Sequence, residues 1–198
     1  MGERIFISRV RLSFPHLFTP RAMEAGKDPV FQASFIVPLD HPAIAQIRAA
    51  RQRVLTEAFP QGGMTRDLPM RQAGSKPTDD PSFAGCYILN SSAKSKPHTV
   101  DLNVVPLLDP SALYAGCYVN ASVSIFSYKQ KTGSGITFGL DGVQFVADGP
   151  RLDGRPAANQ MFEAVAGAPA PIGPSAFPAM AAEALGTSWG APGAEWKP

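Results

Sequence analysis

Cysteine is almost missing from this chain. Cys86 and Cys117 are the only two in 198 residues, and neither sits in a CxxC or Cys/His cluster. That argues against a disulfide scaffold and a thiolate zinc site; lone cysteines in strand-like runs behave as buried hydrophobes. Charge of one sign is missing too. Lys and Arg number 18 against 16 Asp and Glu, a net charge of +2, so no strong field by itself points to nucleic acid. No apolar run is long enough for a transmembrane helix. The opening MGERIFISRV has no apolar stretch after its charges, unlike a signal peptide. A reducing cytoplasm is the expected compartment. Catalytic signatures are absent: there is no P-loop, GxGxxG or HExxH. His16, His41 and His98 have no carboxylate or nucleophile at motif spacing, and the adjacent pair Asp79-Asp80 need not converge. The chain is therefore not expected to be an enzyme, and no metal or cofactor is expected. Its hydrophobic content of 44% is enough for a core.

What is present is β-pattern, above all from Tyr114 to Val146. Tyr118, Asn120, Ser122, Ser124, Phe126 and Tyr128 fall on one face of a strand, and Cys117, Val119, Ala121, Val123 and Ile125 on the other. Lys129 to Gly135 reads as a basic hairpin loop longer than the tightest turns. The second arm, Ile136 to Val146, holds Gly139 and Gly142, which mark a bulge or bend as in a small closed barrel. Rings interleaved with cations suit a flexible nucleic-acid strand, because bases stack on rings and phosphates seek ammonium groups. An ordinary half-buried sheet carries the same aromatics, since strands are enriched in them.

Upstream, Glu3 to Leu12 alternates, with Ile5 and Ile7 inward and Arg4, Phe6 and Ser8 outward; Arg9 and Arg11 share a basic end. Pro15 and Pro20 are expected to stop regular structure, with Phe14, Leu17 and Phe18 packing the connection onto the barrel, or else Phe14 or Phe18 meeting a base. Val30 to Leu39 is a strand. A helix follows, N-capped by Asp40 with Pro42 in its first turn, its apolar stripe made by Ile44, Ile47, Val54, Leu55 and Phe59. Arg48, Arg51 and Arg53 form a solvated or phosphate-contacting side. Gln61 to Ser82 reads as a long polar loop. AGCY occurs at 84–87 and at 115–118, each time before a strand. Thr99 to Leu107 reads as a strand paired to the one before it through a connection carrying Lys94 and Lys96. With Lys129 and Lys131, those lysines could form one cationic rim. From Ala166 to Pro198 the chain is rich in Ala, Gly and Pro and nearly uncharged, and is expected to be a disordered tail.

The run YAGCYVNASVSIFSYKQKTGSGITFGLDGVQFVADGPRLDGRP resembles the phage-encoded single-stranded DNA-binding proteins, a family formerly catalogued as an uncharacterised phage domain. The matching pieces are Gly116–Asn120, Ile125–Tyr128, Gly139–Phe145, Ile7–Phe18, Phe31–Pro38 and Tyr87–Pro97, collinear over about residues 4 to 165. The resemblance implies a mainly β, OB-fold-like barrel of five to six strands with one α-helix, spanning residues 1–165, and a tail at 166–198. It implies a protein that binds and coats single-stranded DNA without strong sequence preference during phage replication or recombination, in the host bacterial cytoplasm. Bases would meet Tyr118, Phe126 or Tyr128, and phosphates Arg9, Arg11, Lys94, Lys96, Lys129 and Lys131. Expected partners are single-stranded DNA, replication or recombination proteins through the tail, and further copies of the chain in a homo-oligomer; no membrane is expected. One departure concerns the tail. Such proteins commonly end in acids and an aromatic residue, whereas this chain ends GAEWKP. A different class of function, a phage structural or assembly protein using a β-barrel for protein contacts, predicts an apolar rather than cationic patch.

Overall fold

Alternating side chains build the strands of the barrel, and register shifts bend three of their pairings. The computed structural model describes residues 2–22, 26, 28–76, 83–130 and 133–152. The elements are β1 (Glu3–Arg21), β2 (Val30–Pro38), α1 (Ala43–Ala58), β3 (Met70–Gln72), β4 (Cys86–Ala93), β5 (His98–Val100), β6 (Tyr118–Gln130) and β7 (Gly133–Ala147). They form one sheet in the order β3-β4-β2-β1-β6-β7-β5, and a further β4–β7 pairing closes it. That closure is parallel, at Ser92 and Gly139. Strands β1, β2, β4, β7 and β6 thus make a closed five-stranded barrel with the connectivity of an OB fold; β3 and β5 are short additions at its margins.

Inward positions are apolar apart from the buried Ser91 of β4, which donates to the Ala33 carbonyl: Ile5, Ile7, Val10 and Leu12 on β1, Phe35 and Val37 on β2, Leu89 on β4, Val119, Val123 and Ile125 on β6, Ile136 and Phe138 on β7. Phe35 and Phe138 are both fully buried, and each such side chain contributes about 1.5–3 kcal/mol. Helix α1 packs Ala43, Ile44, Ile47, Ala50 and Val54 onto this core. Cys117 is buried, and desolvation pushes its thiol up to about 11; Cys86 is half-buried.

Several expectations are corrected. Strand β1 does not stop at its prolines. It runs to Arg21 with register shifts between Ser13 and His16 and between His16 and Arg21, because a bulge leaves a position where no ladder N–H is needed. Leu17 is buried and Phe18 packs on the core, but Phe14 is 72% exposed and anchors nothing. Asp40 does not cap α1. The cap position is Pro42, and His41 does the work: its Nδ1 accepts from the Ala43 N–H at 3.1 Å while its Nε2 donates to the Ser8 carbonyl at 2.8 Å. The arginine side of α1 is solvated, one of the two expected readings, with Arg48 and Arg53 exposed, and its guanidinium groups are hydrogen-bonded. Arg48 donates to the Tyr87 hydroxyl, Arg51 forks onto Asp67 and Arg53 onto Glu3. The long polar segment contains β3, paired with β4. Of the expected strand at 99–107 only Thr99 and Val100 form one, with His98, as β5, and it pairs in parallel with β7, not with β4. Asp101 turns the chain there by accepting from the Asn103 and Val105 N–H groups. The β6–β7 hairpin is tight: Gln130 pairs with Gly133, leaving Lys131 and Thr132 between the strands and outside the described residues. One bulge of β7 lies between Gly139 and Gly142, opposite Ser122 and Val123, and a second lies opposite Tyr118 and Val119. The tail at 166–198 also lies outside the described residues.

Candidate nucleic-acid interface

Residues opposite the core line up in rows across the outer face. Strand register places Tyr118, Arg11, Ile36, Ile88 and Arg71 side by side on β6, β1, β2, β4 and β3. At about 4.8 Å between strands, this row spans about 19 Å. A second row is Ser13, Ser34 and Asn90, and a third is His16, Gln32 and Ser92. The centre is an aliphatic floor, and arginines stand at both ends. Arg11 lies 5.9 Å from the Phe83 ring centroid and 6.0 Å from that of Tyr118. It is aimed by donating to the Pro150 carbonyl at 2.6 Å and the Gly116 carbonyl at 3.4 Å. Ser34 donates to Asn90 Oδ1 at 2.6 Å. Gln32 Nε2 is buried and has no hydrogen-bond partner among the described residues, an unmet donor in the wall of this face. Two adjoining clefts of about 450 and 480 Å³ lie here, and the exposed Phe14 ring borders both.

A third groove, of about 840 Å³, opens where β4 meets β7. Arg4, Arg66, Lys94, Lys96, His98, Phe126 and Tyr128 border it. It neighbours the clefts, since Gln32, which lines one of them, pairs in register with Ser92, which lines the groove. Glycine shapes its floor. A Cβ on Gly139 would sit 3.0 Å from the Phe126 ring, and one on Gly135 would be 3.0 Å from the Tyr128 hydroxyl and collide with the Arg66 carbonyl. Bare backbone therefore lets both rings lie against β7. Arg66 is held by a strap. The Thr65 and Arg66 N–H groups donate to the Ser134 carbonyl at 2.9 and 3.1 Å, and Ile136 N–H donates to the Arg66 carbonyl at 3.2 Å. Next to it, the Arg51 guanidinium bonds both Asp67 oxygens at 2.7 and 2.5 Å and holds that carboxyl below its ordinary range.

Comparison with known proteins fits this geometry. Residues 3–169 match the family described as the single-stranded DNA-binding protein of Enterobacter phage Enc34. The chain belongs to that family. A protein designated p50, from Acyrthosiphon pisum secondary endosymbiont phage 1, is 31% identical over 163 residues, covering 76% of this chain and 87% of its own. Among solved structures, the Enc34 single-stranded DNA-binding protein in complex with single-stranded DNA superposes with a TM-score of 0.66 at 23% identity, covering 75% of this chain and 89% of its own. The single-stranded DNA-binding protein gp2.5 of bacteriophage T7 superposes with a TM-score of 0.53 at 12% identity, covering 80% and 92%. These two likenesses are of fold.

Within this family member, the residues singled out from sequence separate. Tyr118 and Arg11 lie at one end of the outer face; Lys94, Lys96, Phe126 and Tyr128 border the third groove. Outward alternation of Tyr118 through Tyr128 is as expected, and Phe126 is 38% exposed. The single lysine rim does not form from the described residues. Lys129 follows Tyr128 on a strand, so it points the other way, with Nζ 5.2 Å from the Phe59 ring. Lys131 lies outside the described residues. Arg9 sits at a bulge with φ 49° and lines none of the three openings. Sequence reasoning missed Arg66, Arg71, Phe83, Gln32 and Asn90. The parity of Gln32, Ser34 and Ile36 against Ala33, Phe35 and Val37 was the available signal, masked because Ile36 is apolar yet faces out. Among the described residues no group of metal-ligating side chains occurs, and no helix is long and apolar enough to cross a membrane.

Proposed function

We propose that the protein binds and coats single-stranded DNA, without strong sequence preference, in support of phage DNA replication or recombination. One observation carries this reading. Exposed or half-exposed rings and cations border neighbouring, open clefts on the strand face and the barrel seam, which is where OB barrels take oligonucleotides. Bases stack on Tyr118, Phe14, Phe126 and Tyr128, and phosphates meet Arg11, Arg66, Lys94 and Lys96. Arg9, Lys129 and Lys131 serve flanking phosphate at most. Stacking uses a π-face that every base has, so sequence matters little. The protein acts by binding alone, in the host bacterial cytoplasm, and residues 166–198 recruit replication or recombination proteins. A gel-shift titration with single-stranded and duplex DNA of equal length, at two salt concentrations, tests this. Single strands should bind more tightly, and binding should weaken as salt rises. Equal affinity for duplex would overturn the reading.

A further inference from the structure

The cleft of about 480 Å³ on the outer face carries polar groups that neither stacking nor phosphate binding requires. Phe14, Arg21, Gln32, Ser34 and Asn90 are among its lining residues. A bulge places the ring. Between Ser13 and His16, β1 holds two residues where β2 holds only Ala33. The extra residue frees Phe14 from alternation, and it stands at φ 46° and 72% exposed. A bulky side chain adopts a positive φ only under constraint. Bulges re-aim side chains beside binding sites in this way, and such strain collects at ligand clamps. The amides come next. Ser34 Oγ donates to Asn90 Oδ1 at 2.6 Å, which turns Asn90 Nδ2 away from Ser34 and leaves it unbonded among the described residues. Gln32 Nε2, two residues along β2, is buried and has no partner among the described residues. A buried donor without an acceptor is destabilising, and such groups are rare enough in native proteins that each has a cause. Register supplies one here. Gln32 pairs with Ser92 and Ser34 with Asn90, so Gln32 and Asn90 are diagonal neighbours. Diagonal residues lie about 7–8 Å apart, within reach of long side chains.

We propose that this cleft reads one base of the bound strand and prefers guanine there, with the base stacked on Phe14 and its O6 and N7 accepting from Asn90 Nδ2 and Gln32 Nε2. The inference rests on the proposed binding of single strands and confines a preference to one nucleotide among those covered. Chemistry selects the base. Two amide donors suit an edge with two adjacent acceptors, and guanine presents O6 and N7 side by side. Adenine sets an amino donor beside N7, and thymine offers O4 alone on that edge. Cytosine has adjacent acceptors at N3 and O2, but its amino group stands next to them and its single ring covers less of Phe14. Arg21, exposed at the end of β1, supplies a cation for the phosphate of the same nucleotide. Every other assigned ring and cation reads stacking surface or phosphate, so coating of other sequences continues.

Fluorescence anisotropy on the full chain tests the proposal. The probe is a thymidine oligonucleotide just long enough for one copy, with a single dG, dA, dC or 7-deaza-dG placed at each position in turn. At one position or its neighbours dG should bind about fivefold more tightly than dT, the lower end for a well-made base contact. The analogue 7-deaza-dG stacks alike but lacks the N7 acceptor, and should lose most of that gain. Asn90→Asp keeps the acceptor for Ser34 and exchanges the donor for a second acceptor; its ratio of dG to dT affinity should fall to about one or below. Gln32→Met removes the unmet donor at similar length; its ratio should also fall, and it should melt no lower than wild type, because no hydrogen bond is lost. If Gln32→Met folds poorly, Asn90→Asp, at an exposed position, decides the matter by its ratio. No gain for dG at any position, a tighter complex with another base, 7-deaza-dG binding as dG does, or a wild-type ratio in Asn90→Asp would overturn the proposal. Failure to bind the thymidine oligonucleotide at all would overturn the single-strand reading itself, so the two failures are told apart.

Discussion

At the scale of single residues, which ring lies on DNA and which in the core can be decided by two measurements on one protein. Tyr128 is half-buried at the groove of β4 and β7, lying against Gly135. Tyr128→Ala should cost about 1–3 kcal/mol of single-strand binding with a smaller loss of stability. Phe138, fully buried on the neighbouring strand, gives the contrast: Phe138→Ala should lower stability by about 3–5 kcal/mol. Loss of stability in Tyr128→Ala with affinity intact would remove it from the interface. The lysines separate in the same manner. Lys94 and Lys96 border the groove, whereas Lys129 turns to Phe59. Changing Lys94 and Lys96 together to Ala should lower the slope of log affinity against log salt by about 0.7 for each phosphate deprived of its cation; Lys129→Ala should leave it nearly unchanged. Alternation made the facing of Tyr118 to Tyr128 legible in the sequence. Lys129 was misplaced because it was assigned to a loop, which frees a side chain from alternation, when the strand in fact continues through Gln130.

At the scale of elements, the repeated AGCY piece shows how one local device is used with different stringency. Gly85 and Gly116 both have positive φ, at 82° and 114°, so each does open a strand by a turn that favours glycine. A Cβ on Gly85 meets nothing within 4 Å, while one on Gly116 would collide with the Pro150 carbonyl. Gly85→Ala should therefore cost about 1–2 kcal/mol from the left-handed backbone alone, and Gly116→Ala distinctly more. Denaturant midpoints of the two variants check this ranking; equal midpoints would show that the backbone at Pro150 yields. The strap of Gly63 to Asp67 is a second element with a readable consequence. Side-chain hydrogen bonds from Arg51 hold the Asp67 carboxyl below its ordinary value of 3.8. A carboxyl depressed in the folded state stabilises the fold above its unfolded value and loses that contribution as pH falls through the lower folded one. Wild-type stability should thus decline below about pH 4, and Asp67→Asn should be less stable at neutral pH and lose part of that decline. Thermal melts of both proteins from pH 7 downward measure it. The strand β3 was not legible, since three residues carry too little periodicity to stand out, and β5 was read too long, since it ends where the Asp101 side chain captures the backbone.

At the scale of the whole molecule, strand alternation and the family resemblance together made the barrel legible, but not its closure. A single parallel pairing of Ser92 with Gly139 joins β4 to β7, and no local pattern announces a contact between segments so far apart in sequence. The clefts were hidden for the same reason, because they arise from rows that cross five strands. Among the described residues, every buried apolar side chain of the core lies between Ile5 and Val143, and the Ala-, Gly- and Pro-rich composition of residues 166–198 offers little apolar area to pack. Deleting Ala166 to Pro198 should accordingly shift the melting midpoint by less than about 2 °C, equivalent to about 1 kcal/mol or less for a chain of this size. Affinity for a short single strand should stay within experimental error, because every ring and cation assigned to the clefts precedes the deletion. Recruitment of replication or recombination proteins should be lost, as read by co-sedimentation with them on coated DNA. A midpoint lower by many degrees would mean that the segment packs on the barrel. Intact recruitment would move that role to the barrel surface, where the solvent-facing leucines at 102 and 108 would be the next residues to change.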